Sequence, residues 1–305
     1  MNSVYIEITN VCNLHCSFCP SGQAAGNPSQ DFRREFMAGD VFARCISEAD
    51  RNVENVYFHV LGEPTLHPNF TDYLEALEQT KLKLNLTTNG TTIKQVGGKL
   101  LESKALRQIN FSTHAYAELD QENATGHLKN VLEFCKQAQE LRPDLYINLR
   151  LWNVGDESSN SWNDYLLNEI NKAFGTDVTL GHFCSRHKSY LVSGRLYLHQ
   201  DSRFEWPKQE PGSRFEAREI QRGSNLNIPQ GTCRALDTHV AILHDGRVVA
   251  CCLDYSGQIT LGNIQEQTLS EILNSPETTF LREGFAAHEL RHPFCQRCTF
   301  CKRFK

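Results

Sequence analysis

The chain has 305 residues, 40% hydrophobic and 22% charged, with 31 basic against 36 acidic side chains and a formal net charge of −5. This is the composition of a folded protein of about two domains, and it excludes disordered and collagen-like chains. The sequence has no run of about 18 apolar residues, which a membrane span needs, and MNSVYIEITN lacks the basic and long apolar regions of a secretory signal, so a cytoplasmic location without a membrane partner is expected, and the acidic balance argues against nucleic acid.

Strands and helices are predicted in alternation. Apolar/polar alternation marks a first strand over Val4–Thr9, followed by strands at Val56–Val60, Leu82–Thr87, Ile109–Ser112, Leu145–Trp152 and Val178–Leu180. Helical periodicity fits the intervals, as in Ala38–Ala49, Phe70–Gln79, Gly126–Gln139 and Trp162–Phe174. Such repetition implies a parallel sheet covered by helices, a partial (β/α)6 barrel of class α/β. On the fifth strand Ile147, Leu149 and Leu151 share one face, and Tyr146, Asn148, Arg150 and Trp152 share the other. The first and third strands split the same way, with Tyr5, Glu7 and Thr9 and then Lys83, Asn85 and Thr87 on the polar side. Ordinary barrels fill their interior with branched apolar side chains. The polar face predicts a hydrated lumen that binds something.

Residues 181–232 read as a connecting segment that shapes the substrate site. It includes Gln209–Ser213 and Arg222–Ser224, which look like loop, and Arg203–Pro207, expected to help form the pocket. A hairpin of His239–Leu243 and Val248–Cys251 follows, turning at His244–Arg247. A short helix capped by Thr268 or Ser270 runs to Leu273. Residues 233–305 thus form a small C-terminal domain with little core, which points to metal as a source of its stability.

The chain has twelve cysteines, which without a secretion signal points to metal rather than disulfides. Cys12-x3-Cys16-x2-Cys19 follows the first strand. Soft thiolates suit iron–sulfur clusters or zinc. Three cysteines can hold three corners of a cubane and leave one iron open; a structural zinc needs a fourth ligand, locally only His15. In the second group, Cys233, Cys251, Cys295 and Cys298 supply four thiolates, the usual count for a closed four-iron site. Cys252 and Cys301 are surplus and stand as alternatives, and a zinc ribbon is the competing reading.

These motifs resemble the radical S-adenosylmethionine (SAM) superfamily. Its signature is CxxxCxxC after the first barrel strand, holding a [4Fe–4S] cluster whose open iron binds SAM. By this resemblance Phe18 packs near the adenine. Gly62, Glu63 and Pro64, in the segment Leu61–Pro64, match the GGEP segment that meets the methionine amino group. Thr87 and Asn89 belong to a TTNG match, Ser112 faces the ribose, and Arg150 pairs with the cofactor carboxylate or assists proton loss. Lumen histidines His59 and His114 are alternatives for that last role. The second cysteine group resembles the twitch form of the SPASM domain, which binds an auxiliary [4Fe–4S] cluster. Its spacing is similar to that of 2-deoxy-scyllo-inosamine dehydrogenase, and a related form occurs in molybdenum-cofactor synthesis.

The resemblance implies an oxidoreductase of dehydrogenase type with two [4Fe–4S] clusters and a low-potential electron donor such as flavodoxin or ferredoxin. A 5′-deoxyadenosyl radical would take hydrogen from a polar small molecule, and the auxiliary cluster would accept the second electron. The alternative is radical modification of a peptide, protein or RNA; the remote one is a non-catalytic iron–sulfur or zinc protein.

Overall fold

The computed structural model describes residues 1–25, 34–180, 188–207 and 228–304. One open sheet of ten strands organises the chain, in the order β10-β9-β8-β1-β2-β3-β4-β5-β7-β6. Strands β1 (Ser3–Ile6), β2 (Asn55–Phe58), β3 (Lys83–Thr88), β4 (Leu106–Phe111) and β5 (Tyr146–Leu151) run parallel, each beside the next, as the alternation predicts. The helices between them are α1 (Pro20–Ala25), α2 (Gly39–Asn52), α3 (Phe70–Glu78), α4 (Ile93–Glu102), α5 (Gln121–Leu141) and α6 (Asn160–Phe174). Helix α2 buries Val41, Phe42, Cys45, Ile46 and Ala49, the spacing of one helical face. Phe42 stacks on Tyr73 of α3 at 3.7 Å. Cys45 and Cys135 are fully buried core thiols, the ordinary fate of such a small hydrophobe.

The sixth parallel strand is not at 178–180. Asn171 occupies that backbone instead: its Oδ1 accepts from Val178 N at 2.8 Å and its Nδ2 donates to Val178 O at 2.9 Å. With both polar groups met by one side chain, residue 178 has nothing left to offer a neighbouring strand. The strand is β7 (Leu196–Gln200), parallel to β5, with β6 (Ser189–Ser193) antiparallel to it at the sheet edge. Part of the segment expected to be connecting loop is therefore sheet. The expected loops at 209–213 and 222–224, and Cys184, lie outside the described residues.

The C-terminal hairpin, β8 (His239–Ile242) and β9 (Arg247–Val249), also departs from expectation. It continues the barrel sheet, since β8 pairs parallel with β1 from Ser3↔His239 to Ile6↔Ile242. β10 (Thr260–Asn263) closes this side of the sheet. The helix Leu269–Leu273 begins at a Thr268–Glu271 capping box. The buried carboxylate of Glu48 on α2 accepts from Leu269 N at 3.0 Å, tying the C-terminal segment to the barrel. Among the described residues no helix is long and apolar enough to cross a membrane.

Candidate active site between two cysteine loops

Cys12, Cys16 and Cys19 lie on the loop after β1, all half-buried, and the chain enters α1 immediately afterwards. Two glycines set the loop's shape. A Cβ on Gly22 would lie 2.3 Å from Cys16 O, and one on Gly62, at φ +71°, would lie 2.4 Å from Thr9 O. Only a residue without a side chain lets the backbones approach so closely. Glu63 N donates to Val11 O at 2.7 Å, which docks the turn after β2 against the cysteine loop. Ser17 N and Oγ both donate to Glu118, at 2.6 and 2.9 Å.

Burial pushes the thiols of Cys12 and Cys16 up to about 11 and about 12, and that of Cys19 in the same direction. Deprotonated sulfur here needs a positive partner, which a metal centre would supply. The donor set is three soft thiols, and His15, the local fourth ligand that zinc would require, is exposed. Among the described residues no three His, Cys, Asp or Glu side chains are placed to hold a single metal ion. A cluster carries its own inorganic atoms between the thiols, so the residues present fit an iron–sulfur cluster.

Glu63 is 1% exposed, and its carboxylate is occupied within the fold. It accepts from Thr65 N and Oγ1, at 3.1 and 2.6 Å, from Thr88 Oγ1 at 2.7 Å and from Asn89 N. Burial pushes its pKa up while these donors hold it down. Asn89 Nδ2 reaches Asn13 Oδ1 at 2.9 Å and Cys12 Sγ at 3.8 Å. Glu63 therefore fastens the ends of β2 and β3 to the cysteine loop, and what remains free for a bound molecule is backbone of the turn Gly62–Pro64. Glu63→Ala strands several buried donors and should cost about 3 kcal/mol, lowering the unfolding midpoint of a chain this long by roughly 5 °C. A midpoint within about 2 °C of wild type in a thermal melt would show that the carboxylate does not hold these strand ends together.

The polar lumen face divides into two zones. Asn85 and Asn110 are buried and bonded to neighbours: Asn148 Nδ2 and Gln108 Nε2 each reach Asn110 Oδ1 at 2.9 Å, and Arg107 reaches Asn85 Oδ1 at 3.1 Å. This zone is a polar plug whose groups bond one another, with Gln108 and Asn148 half-buried and Arg107 exposed. The other zone opens into a cavity of about 310 Å³ with Tyr5, Tyr57, His59, His114, Arg150 and Trp152 among its walls. Phe18 and Cys19 of the first cysteine loop, and Ser112 after β4, line it too. Cys252 and Leu253 of the hairpin close the other side, with Phe204 and Trp206 of the segment expected to shape the pocket. A larger groove of about 590 Å³ between α5 and α6 contains none of these residues.

Arg203, in the segment expected to help form the pocket, does line it; its place over Phe18 was not legible. It lies 4.7 Å over the Phe18 ring and pairs with Glu118 at 3.3 Å and Asp156 at 3.2 Å. The arrangement fixes the one aromatic ring of the cysteine loop. No local pattern announces a pair 85 positions apart; the only signal is that Arg203 opens the segment 203–207. His114 Nδ1 bonds Arg150 O at 3.2 Å, so this lumen histidine has a structural partner.

At the second group, Cys233, Cys251, Cys252, Cys295, Cys298 and Cys301 all wall one small cavity. Burial pushes Cys251 and Cys295 well above the usual thiol range. Cys301 Sγ donates to Cys298 O at 2.9 Å, and Cys252 also faces the lumen cavity. Six thiols dominate this donor set, with His239 beside them in an otherwise apolar shell, and it suits an iron–sulfur cluster as well.

The comparisons with known proteins agree with this chemistry. The profile of the radical SAM superfamily matches residues 6–159, and that of SPASM, an iron–sulfur cluster-binding domain, matches residues 233–301. The chain is 22% identical to the tungsten-containing aldehyde ferredoxin oxidoreductase cofactor-modifying protein of Pyrococcus furiosus, over 98% of this chain and 87% of that one. Among solved structures it is similar to BtrN in complex with AdoMet and 2-DOIA, with a TM-score of 0.52, 14% identity and coverage of 98% of this chain and 93% of that one. It is also similar to anSMEcpe with bound AdoMet and the Cp18Cys peptide, with a TM-score of 0.57, 17% identity and coverage of 98% and 87%.

Proposed function

The chain belongs to the radical SAM superfamily and carries an iron–sulfur cluster-binding SPASM domain, and on that premise we propose that it oxidises a small polar molecule by two electrons. The observation that carries this reading is the single cavity walled by Phe18 and Cys19 on one side and by Cys252 on the other. A substrate there lies between the two cysteine groups. Its volume of about 310 Å³ also has to take the SAM end at Phe18 and Ser112, which leaves room for a small molecule rather than a long peptide. The similar folds include one crystallised with a small molecule and one with a peptide; the fold alone does not choose between them, and the size of this chain's cavity favours the small molecule.

In this reading Cys12, Cys16 and Cys19 hold the SAM-binding cluster, and Cys233, Cys251, Cys295 and Cys298 hold an auxiliary one. Those four are preferred because the Cys301 thiol is engaged with Cys298 O and Cys252 faces the lumen. When bound, the cofactors supply a 5′-deoxyadenosyl radical that takes a hydrogen atom from the substrate, and an acceptor for one further electron. The backbone of Gly62–Pro64 would receive the methionine end, Phe18 under Arg203 the adenine, and Ser112 the ribose. Thr88 and Asn89 keep Glu63, and through it the turn, in place. The aromatic walls exclude water from the reacting bond. A low-potential flavodoxin or ferredoxin would deliver the first electron.

The test is direct. Anaerobically reconstituted, reduced protein incubated with SAM should form 5′-deoxyadenosine and methionine in equal amounts, slowly without substrate. Neither product from protein with its full iron content would overturn the reading.

A further inference from the structure

One charge in this cavity has no counterpart. Arg150, on β5, holds its guanidinium 4.4 Å from the Trp152 ring centroid. Among the described residues no acidic side chain pairs with it, whereas Arg203 across the same cavity is paired twice. A ring face offsets only part of the hydration that a half-buried cation loses. The nearby groups are no substitute. Tyr5 and Tyr57 stack at 4.7 Å, and the edge of His59 meets Tyr5 at 4.9 Å. His59 Nδ1 is buried with no partner among the described residues. Burial, then Arg150 itself, pushes this imidazole down to about 3, so it is neutral. The walls are mostly flat rings, and among the described residues that line the cavity Arg150 is the cation without an acidic partner, Arg203 being paired.

Arg150 stands between the two ends of the cavity. Cys252, Tyr5 and Tyr57 line the same space, and His114, whose Nδ1 bonds Arg150 O at 3.2 Å, meets the Phe18 ring at 5.5 Å. A counter-charge delivered to Arg150 would thus lie between the two cysteine groups.

We propose that the cavity takes a flat substrate bearing an oxyanion, a carboxylate or a phosphate, with Arg150 as its counter-ion and Tyr5, Tyr57 and Trp152 as its walls. His59 Nδ1 meets a second polar group of the same molecule. This rests on the reading of the cavity as the substrate site, and it moves Arg150 from the cofactor's carboxylate to the substrate's.

The experiment uses cluster-loaded protein with SAM present, under anaerobic conditions, and measures probe binding by equilibrium dialysis. The probes are 3-phenylpropionate and phenyl phosphate against 3-phenylpropanol and 3-phenylpropylamine. Both anions should bind at least tenfold more tightly than the alcohol, and the amine more weakly still. Arg150→Gln should remove the preference and Arg150→Lys should restore part of it, while SAM affinity in Arg150→Gln changes less than twofold. Equal binding of alcohol and anions by the wild type would overturn the proposal without any variant. So would an equal loss of SAM and anion affinity in Arg150→Gln, which would return Arg150 to the cofactor. 5′-Deoxyadenosine is assayed in the same wild-type samples: its absence sinks the proposed function and leaves the binding result standing.

Discussion

Cys16→Ala is expected to abolish 5′-deoxyadenosine formation, the largest single effect on activity anywhere in the chain. In the proposed reading the loop gives the cluster three thiols, and among the described residues its own neighbours offer no replacement: His15 is exposed, and Ser17 is held by Glu118. Removing one corner removes the metal rather than retuning it. Reconstituted wild-type protein should hold about eight irons in two four-iron clusters, and the variant lacking Cys12, Cys16 and Cys19 about four. Iron analysis with the product assay checks both. Stoichiometric zinc with no iron uptake would contradict the family chemistry, and unchanged product from Cys16→Ala would show that this loop is not the radical-generating site. Loss of the cluster should leave the barrel standing, because the core of β1 and α2 is independent of it: Val4, Ile6, Phe42 and Cys45 pack without touching the thiols' needs.

How far this was readable differs from element to element. Most of the first five strands announce themselves because one face is apolar and the other polar, and alternation records that directly. The cysteine loop was legible because its chemistry needs fixed ligands at fixed spacing. Helix α4 hid behind Gly97 and Gly98, which weaken a helical pattern; Gly97 is there because a Cβ would meet Phe134 at 3.1 Å. Strand β7 was hidden by length: five residues are too few for alternation to stand out until β5 pairs with them. The hairpin was recognised, but its parallel pairing with β1 was not, since parallel partners 236 positions apart (Ser3 and His239) leave no local trace. The same reason hid Arg203 and the plug built on Asn110. Polar alternation showed that the lumen face was polar; it did not show that half of those groups satisfy one another.

The second large effect concerns the auxiliary thiols, and it separates oxidation from every reaction that needs no electron acceptor. Cys298 and Cys301 should be replaced together, because both wall the same small cavity and Cys301 bonds Cys298 O, close enough to take over as a ligand. The small C-terminal segment risks unfolding without metal, but three ties to the barrel do not depend on it: β8 on β1, Glu48 on Leu269, and Arg303 to Asp201 at 2.9 Å. A folded Cys298→Ala/Cys301→Ala protein is therefore expected. Its SAM-binding end is intact, so 5′-deoxyadenosine should still form. The substrate then loses its hydrogen atom but has no acceptor for the second electron, so net oxidised product should stop while a substrate radical accumulates or hydrogen returns to it. Trapping the reaction at low temperature and recording the paramagnetic signal distinguishes these outcomes from simple inactivity. Oxidised product at the wild-type rate from the folded double variant would mean that the electron leaves by another route, and that Cys252, facing the cavity, is beside the auxiliary centre for a reason other than electron transfer.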